Sequence, residues 1–116
     1  MLFRSSQDLS RRYLAFLWYA FNPANKRFRN FMGYNRVWLE EVGSEDSHGR
    51  SLWALGTVLG QSTDSGLRGM AARLFEMAIS SALDFKSPRS WTFTLLGTQC
   101  YLEHYQIGRA SCRERV

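Results

Sequence analysis

Cysteine, proline and histidine are scarce, with two of each in 116 residues. One of the cysteines, Cys112, lies in a terminal tail that is set apart below. The other, Cys100, sits inside a helical pattern and reads as a small core residue. That excludes the disulfide framework of a small secreted domain and points to a reducing, cytoplasmic setting. His48 and His104 are too far apart in sequence to form a ligand pair, so no metal site and no cofactor are expected. Long apolar runs are also missing. The stretch Tyr13 to Phe21 is about nine residues, too short to span a bilayer. Met1-Leu2-Phe3-Arg4 lacks the apolar segment of a signal peptide. There is no glycine-rich phosphate loop between a strand and a helix, which argues against a nucleotide-binding α/β domain.

Charge excludes a further class. Lysine and arginine number 15 against 10 acidic residues, a formal charge of +5. The last residues, Gln106 to Val116, resemble the translation of a common sequencing adapter, and are expected to be a non-native tail. Residues 107–116 contribute Arg109, Arg113 and Arg115 against Glu114, a net +2, which leaves +3 for the remainder. So mild an excess does not argue for nucleic acid as a partner. The one basic–aromatic cluster, Lys26-Arg27-Phe28-Arg29, reads as an outer face of a strand or loop.

What the chain does have is helical periodicity. The spacing of apolar residues predicts four helices, at about residues 6–21, 47–59, 67–85 and 87–105. Asn22-Pro23 stops the first, and Ser87-Pro88 supplies an N-cap and a first-turn proline for the fourth. Aromatic residues surround much of the first helix, suggesting burial on more than one side. Between the first two helices, aromatic and β-branched residues flank Gly33-Tyr34-Asn35, which predicts a short β-hairpin near residues 27–42. Gly49-Arg50-Ser51 and Pro88-Arg89-Ser90 both open apolar helices, 39 residues apart. This faint repeat fits antiparallel helical hairpins stacked side by side.

The densest polar stretch lies just before the second helix. Glu41, Glu45, Asp46, His48 and Arg50 fall within ten residues. Asp46 or Ser47 is the expected N-cap, and the positive end of the helix dipole favours ionised carboxylates there. Directional donors and acceptors of this kind suit a hydroxyl-rich ligand, and Trp38 or Trp53 offers a ring face. The plainer alternative is a charged helix start in which Arg50 neutralises its neighbours. Trp18, Trp53 and Trp91, at helical positions, read as core more readily than as sugar platforms.

The block Phe31 to Gly56, with its string Gly43-Ser44-Glu45-Asp46-Ser47-His48-Gly49-Arg50, resembles a bacterial family of α/α-toroid, six-hairpin glycosidase-like proteins. Members of that family carry glycosyltransferase or glycosidase-like names. Ser87-Pro88-Arg89-Ser90-Trp91 through Gly97, and Tyr101-Leu102, are similar to the same family, and the likeness spans roughly residues 9 to 105. Thr98-Gln99-Cys100 departs from the family's more regular Gly-(Leu/Ile)-His-Glu-Tyr-Leu run.

The resemblance implies an all-α fold, with residues 1–105 a C-terminal fragment of a toroid of which about four helices are present. It implies a saccharide ligand in a funnel lined by helix N-termini. Glu45, Asp46, His48 and Arg50 would face that funnel, with Trp38, Arg89 and Trp91 nearby. Glu45 or Asp46 would be the catalytic carboxylate or an acceptor for sugar hydroxyls. Glycoside cleavage needs two carboxyl groups across the scissile bond. Adjacent residues diverge, so the partner would have to come from elsewhere. The competing expectation is a non-catalytic helical scaffold associated with a glycosyltransferase.

Overall fold

The structure is a computed structural model that describes residues 2–29, 32–40 and 42–106. Four α-helices carry the fold: α1 Leu2–Ala20, α2 Glu45–Gln61, α3 Ser65–Ala78 and α4 Pro88–Tyr101. A 3-10 segment, Ile79–Asp84, extends α3, and a single π-type turn, Leu102–Gln106, ends α4. Among the described residues, no helix is long and apolar enough to cross a membrane. The adapter-like residues 107–116, and Glu41, lie outside the described residues.

The helix starts follow from side-chain caps. Ser44 caps α2 by accepting from the Ser47 amide at 3.1 Å, one turn ahead of the expected Asp46 or Ser47. Asp64 caps α3, accepting from Gly66 and Leu67. The Arg11 guanidinium and these two amides hold the Asp64 carboxyl below its ordinary range. Pro88 occupies the first turn of α4, where its missing N–H is no loss.

The β structure departs from the expected hairpin over 27–42. The only ladder among the described residues pairs β1, Phe21–Asn22, with β2, Arg27–Phe28, in antiparallel register. Asn22 closes this turn by accepting from the Ala24 amide, and Asn25 by accepting from Arg27. Both are local side-chain bonds available as soon as α1 ends. Around Gly33-Tyr34-Asn35 there is a turn closed by Gly33 N–H to Val37 O, with one isolated bridge, Met32 to Trp38.

Contacts along the helices fix their directions. Gly49 abuts Ser90, Gly56 abuts Gly97, and Gly60 abuts His104, so α2 and α4 run parallel. The start of α2 meets the end of α3 through His48 and Ala78, and the start of α3 meets the end of α4 through Arg68 and His104. Hence α3 is antiparallel to both. Helix α1 lies beside α3 in the same direction, with Arg11 paired to Asp64 at 2.9 Å and Lys26 O accepting from the Ser81 hydroxyl. The result is two layers, α2 with α4 and α1 with α3.

The core lies between these layers. Leu14, Leu17, Leu52, Leu55, Leu59, Leu67, Leu74 and Phe75 are buried, each worth roughly 1.5–3 kcal/mol when fully withdrawn from water. Helix α1 buries one stripe, Leu14, Leu17 and Ala20. Tyr13, Phe16 and Tyr19 are about half exposed, unlike the many-sided burial expected. Helix α4 turns small residues inward: Ser90, Thr94 and Gly97 are buried while Leu95 and Leu102 are exposed. The reason is distance. A β-carbon on Gly97 would stand 2.6 Å from Leu52 O, so the two backbones touch and no large side chain fits between them.

Candidate functional site

Because α2 and α4 are parallel, both helices begin at the same end of the molecule. The two positive dipole ends therefore lie side by side. Asp46, in the first turn of α2, stands between them. Its Oδ2 is 3.0 Å from Arg50 Nε, one turn on, and its Oδ1 is 3.7 Å from Arg89 Nε in the first turn of α4. The Oδ1 atom is shielded and accepts no hydrogen bond. The arginines of the two similar tripeptides thus converge on one carboxylate.

Arg50 also lies over the Phe93 ring, 5.2 Å from its centroid, and Phe93 stacks on Trp53 at 5.6 Å. Beside this assembly opens a cleft of about 300 Å³, lined by Tyr13, Ser44, Asp46, Ser47, Arg50 and Ser51. Three hydroxyls come from one face of α2 and its cap, because 44, 47 and 51 follow helical spacing. Tyr13, from α1, closes the far wall. The lining is mostly polar. A second cleft, of about 370 Å³ between α1 and α3, is lined mainly by apolar groups including Leu14, Leu67 and Met70.

Glu45 points away from the cleft. Its Oε1 accepts from the amides of Lys86 and Ser87, at 2.8 and 3.0 Å. It thereby fastens the start of α4 to the start of α2, in place of the Ser87 side chain, which makes no capping bond. These two amides hold the Glu45 carboxyl below the ordinary glutamate range, with Arg27 and Lys86 adding to the effect. A carboxylate kept ionised and already occupied is poorly suited to donate a proton.

His48 does not reach the cleft either. It is 0% exposed. Its Nδ1 accepts from the Phe28 amide at 3.3 Å, and its Nε2 lies 2.9 Å from Ala78 O. An acceptor at one nitrogen and a carbonyl at the other require the neutral ring with its proton on Nε2. Burial pushes its pKa down to about 4, outweighing the Ala78 bond that favours the proton, and nearby Arg27 lowers it further. The Phe28 and Phe85 rings flank it. Its role is to join β2, α2 and the end of α3.

The remaining expected residues divide. Arg50 and Arg89 meet at Asp46. Trp38, in the long connection between α1 and α2, packs against Phe16 and Tyr19 of α1, with Arg29 over its ring. Trp91 is half-buried against the core, and its indole N–H donates to Phe85 O at 2.8 Å. Neither tryptophan lines the cleft. Tyr13, Ser44, Ser51 and Phe93 were not foreseen as site residues. The serine spacing was the one available signal. Among the described residues, no group of three histidine, cysteine or acidic side chains is placed to hold a metal.

No family model matches the chain, and neither a curated protein nor a solved structure matches it.

Proposed function

We propose that the chain is part of a carbohydrate-active helical protein of the α/α-toroid kind, and that the cleft at the start of α2 binds saccharide. One observation carries this reading. A polar cleft of about 300 Å³ is lined by three serines, a tyrosine, an arginine and an aspartate, one oxygen of which accepts no hydrogen bond. Sugar hydroxyls donate and accept in many directions, and such a lining answers them. The two-layer arrangement supports the toroid, since parallel neighbours of the α2–α4 type, backed by antiparallel helices, are what a closed ring of hairpins repeats.

Binding is favoured over cleavage. Asp46 acts as a hydroxyl acceptor held in place by Arg50, and Glu45 acts as a structural clamp. The test is tryptophan fluorescence during titration with a panel of oligosaccharides, because Trp53 is partly exposed and stacks on Phe93 beneath Arg50. A saturable change that Asp46→Asn weakens supports the reading. A flat response across the panel removes it.

A non-catalytic interaction module is the second reading, and the half-exposed Tyr13, Phe16 and Tyr19 on α1 favour it. It gains ground if the sugars give no response.

A further inference from the structure

We infer that the ligand of this cleft is an acidic saccharide, and that Arg89 recognises its anionic group. The inference rests on the saccharide reading above and narrows it. Two guanidiniums, Arg50 and Arg89, face a single carboxylate, Asp46. Glu45, the other acid of this turn, is turned away and holds the Lys86 and Ser87 amides. Two parallel helix starts add positive potential at the same end, which the Glu45 carboxylate offsets in part at the start of α4. Arg27 and Lys86 stand beside Glu45 in turn, so the surplus at Asp46 is the second guanidinium, Arg89, and a sugar bearing a carboxylate or sulfate complements it.

The two arginines are held differently. Arg50 is fixed by Asp46 at hydrogen-bonding distance and by the Phe93 ring. Arg89 approaches Asp46 only to 3.7 Å, beyond a hydrogen bond, and its side chain is 70% exposed. A loosely held, exposed guanidinium turns to a ligand anion at little cost and offers it a bidentate fork. When it turns, it gives up its 3.7 Å contact with Asp46 Oδ1. That oxygen accepts no hydrogen bond in the free protein, so it is ready to take one from a sugar hydroxyl. One movement thus presents a donor to the acid group and an acceptor to a neighbouring hydroxyl.

The test uses the chain labelled with ¹⁵N and three probes: an oligogalacturonide, its fully methyl-esterified counterpart, and acetate at equal charge. Amide and guanidinium shifts are followed for Ser44, Ser47, Arg50 and Arg89. The expected result is saturable binding of the acid form, weakened by added salt, and little response to the ester or to acetate. Arg89→Gln weakens the acid form roughly tenfold, the usual scale for one charge-assisted hydrogen bond, and a thermal melt confirms that this exposed substitution leaves the fold intact. Equal binding of ester and acid overturns the inference and leaves the saccharide reading standing. Acetate binding as well as the uronide reduces the site to a plain anion patch and overturns it too. No response to any probe overturns the inference, and the oligosaccharide panel above then decides the saccharide reading.

Discussion

A β-carbon on Gly97 would stand 2.6 Å from the carbonyl oxygen of Leu52, closer than such atoms approach. The neighbour is backbone, so it cannot swing aside. Gly97→Ala is therefore expected to destabilise the chain by about 1–3 kcal/mol, the usual scale of overpacking, despite the ~1 kcal/mol gain in helix propensity. Gly69 is the control. It lies in α3 and nothing within 4 Å would meet its β-carbon. Gly69→Ala should stabilise by about 0.4–1 kcal/mol. Urea midpoints of the two variants should move in opposite directions, and a shared direction would undo the packing argument.

His48 predicts a pH dependence with a definite sign. Its folded pKa, about 4, lies below its ordinary 6.5. Between these values the unfolded chain binds a proton that the folded chain refuses, so stability falls as pH is lowered through this window. It is flat for this group above the upper limit. A shift of this size corresponds to up to about 3 kcal/mol. The carboxylates Glu45 and Asp64, with lowered values, add losses only at more acid pH. Unfolding at pH 7, 6 and 5 isolates the histidine. In His48→Gln the slope over this range should vanish, and persistence of the slope would assign it elsewhere.

Glu45 should matter to α4 more than to α2, although it belongs to α2. Glu45→Ala removes the shared acceptor of the Lys86 and Ser87 amides. The expected outcome is a lower melting temperature and faster hydrogen exchange at those two amides and in the first turn of α4, with the rest of α2 protected as before. Glu45→Gln, which keeps one carbonyl oxygen, should restore most of the protection.

Asp46→Asn should leave stability almost unchanged. The Asp46–Arg50 pair is an exposed i, i+4 contact, with side chains 35% and 56% accessible, and such pairs contribute about 0.3–0.5 kcal/mol. A loss of ligand binding in this variant, without a shifted melting curve, would then report on the site and not on the fold.

The helices were legible because their signals are local. Asn22-Pro23 ends α1 before it can continue, Ser87-Pro88 opens α4, and the polar Ser62-Thr63-Asp64 separates α2 from α3. The start of α2 was misplaced because Asp46 and Ser47 are as good a cap as Ser44 by residue type. Only the backbone turn at Ser44 decides between them. The β ladder was placed too late because two asparagines, Asn22 and Asn25, close the turn directly after α1. The aromatic run that followed promised a longer hairpin and forms a single bridge.

The site was legible in part. Asp46, Arg50 and Arg89 do meet, and Gly49-Arg50-Ser51 and Pro88-Arg89-Ser90, read only as a sign of stacked hairpins, lie at the two helix starts where they do so. The destinations of Glu45 and His48 were not readable. Glu45 bonds amides 41 and 42 residues away, and His48 bonds a carbonyl 30 residues away. Nothing in residue type or spacing distinguishes a histidine at a cleft from one sealed between three elements. The glycines at 49, 56 and 97 were a missed signal, since glycine inside a helical pattern often marks close backbone approach.

The bare backbone contact of α2 with α4 works as a caliper. Side chains that separate two helices can change rotamer and let the gap breathe, whereas carbonyl against α-carbon has no such slack. The spacing between the two arginine-bearing helix starts is thus gauged mainly by main chain, with the Glu45 clamp and the Trp53–Phe93 stack holding the two helices at it.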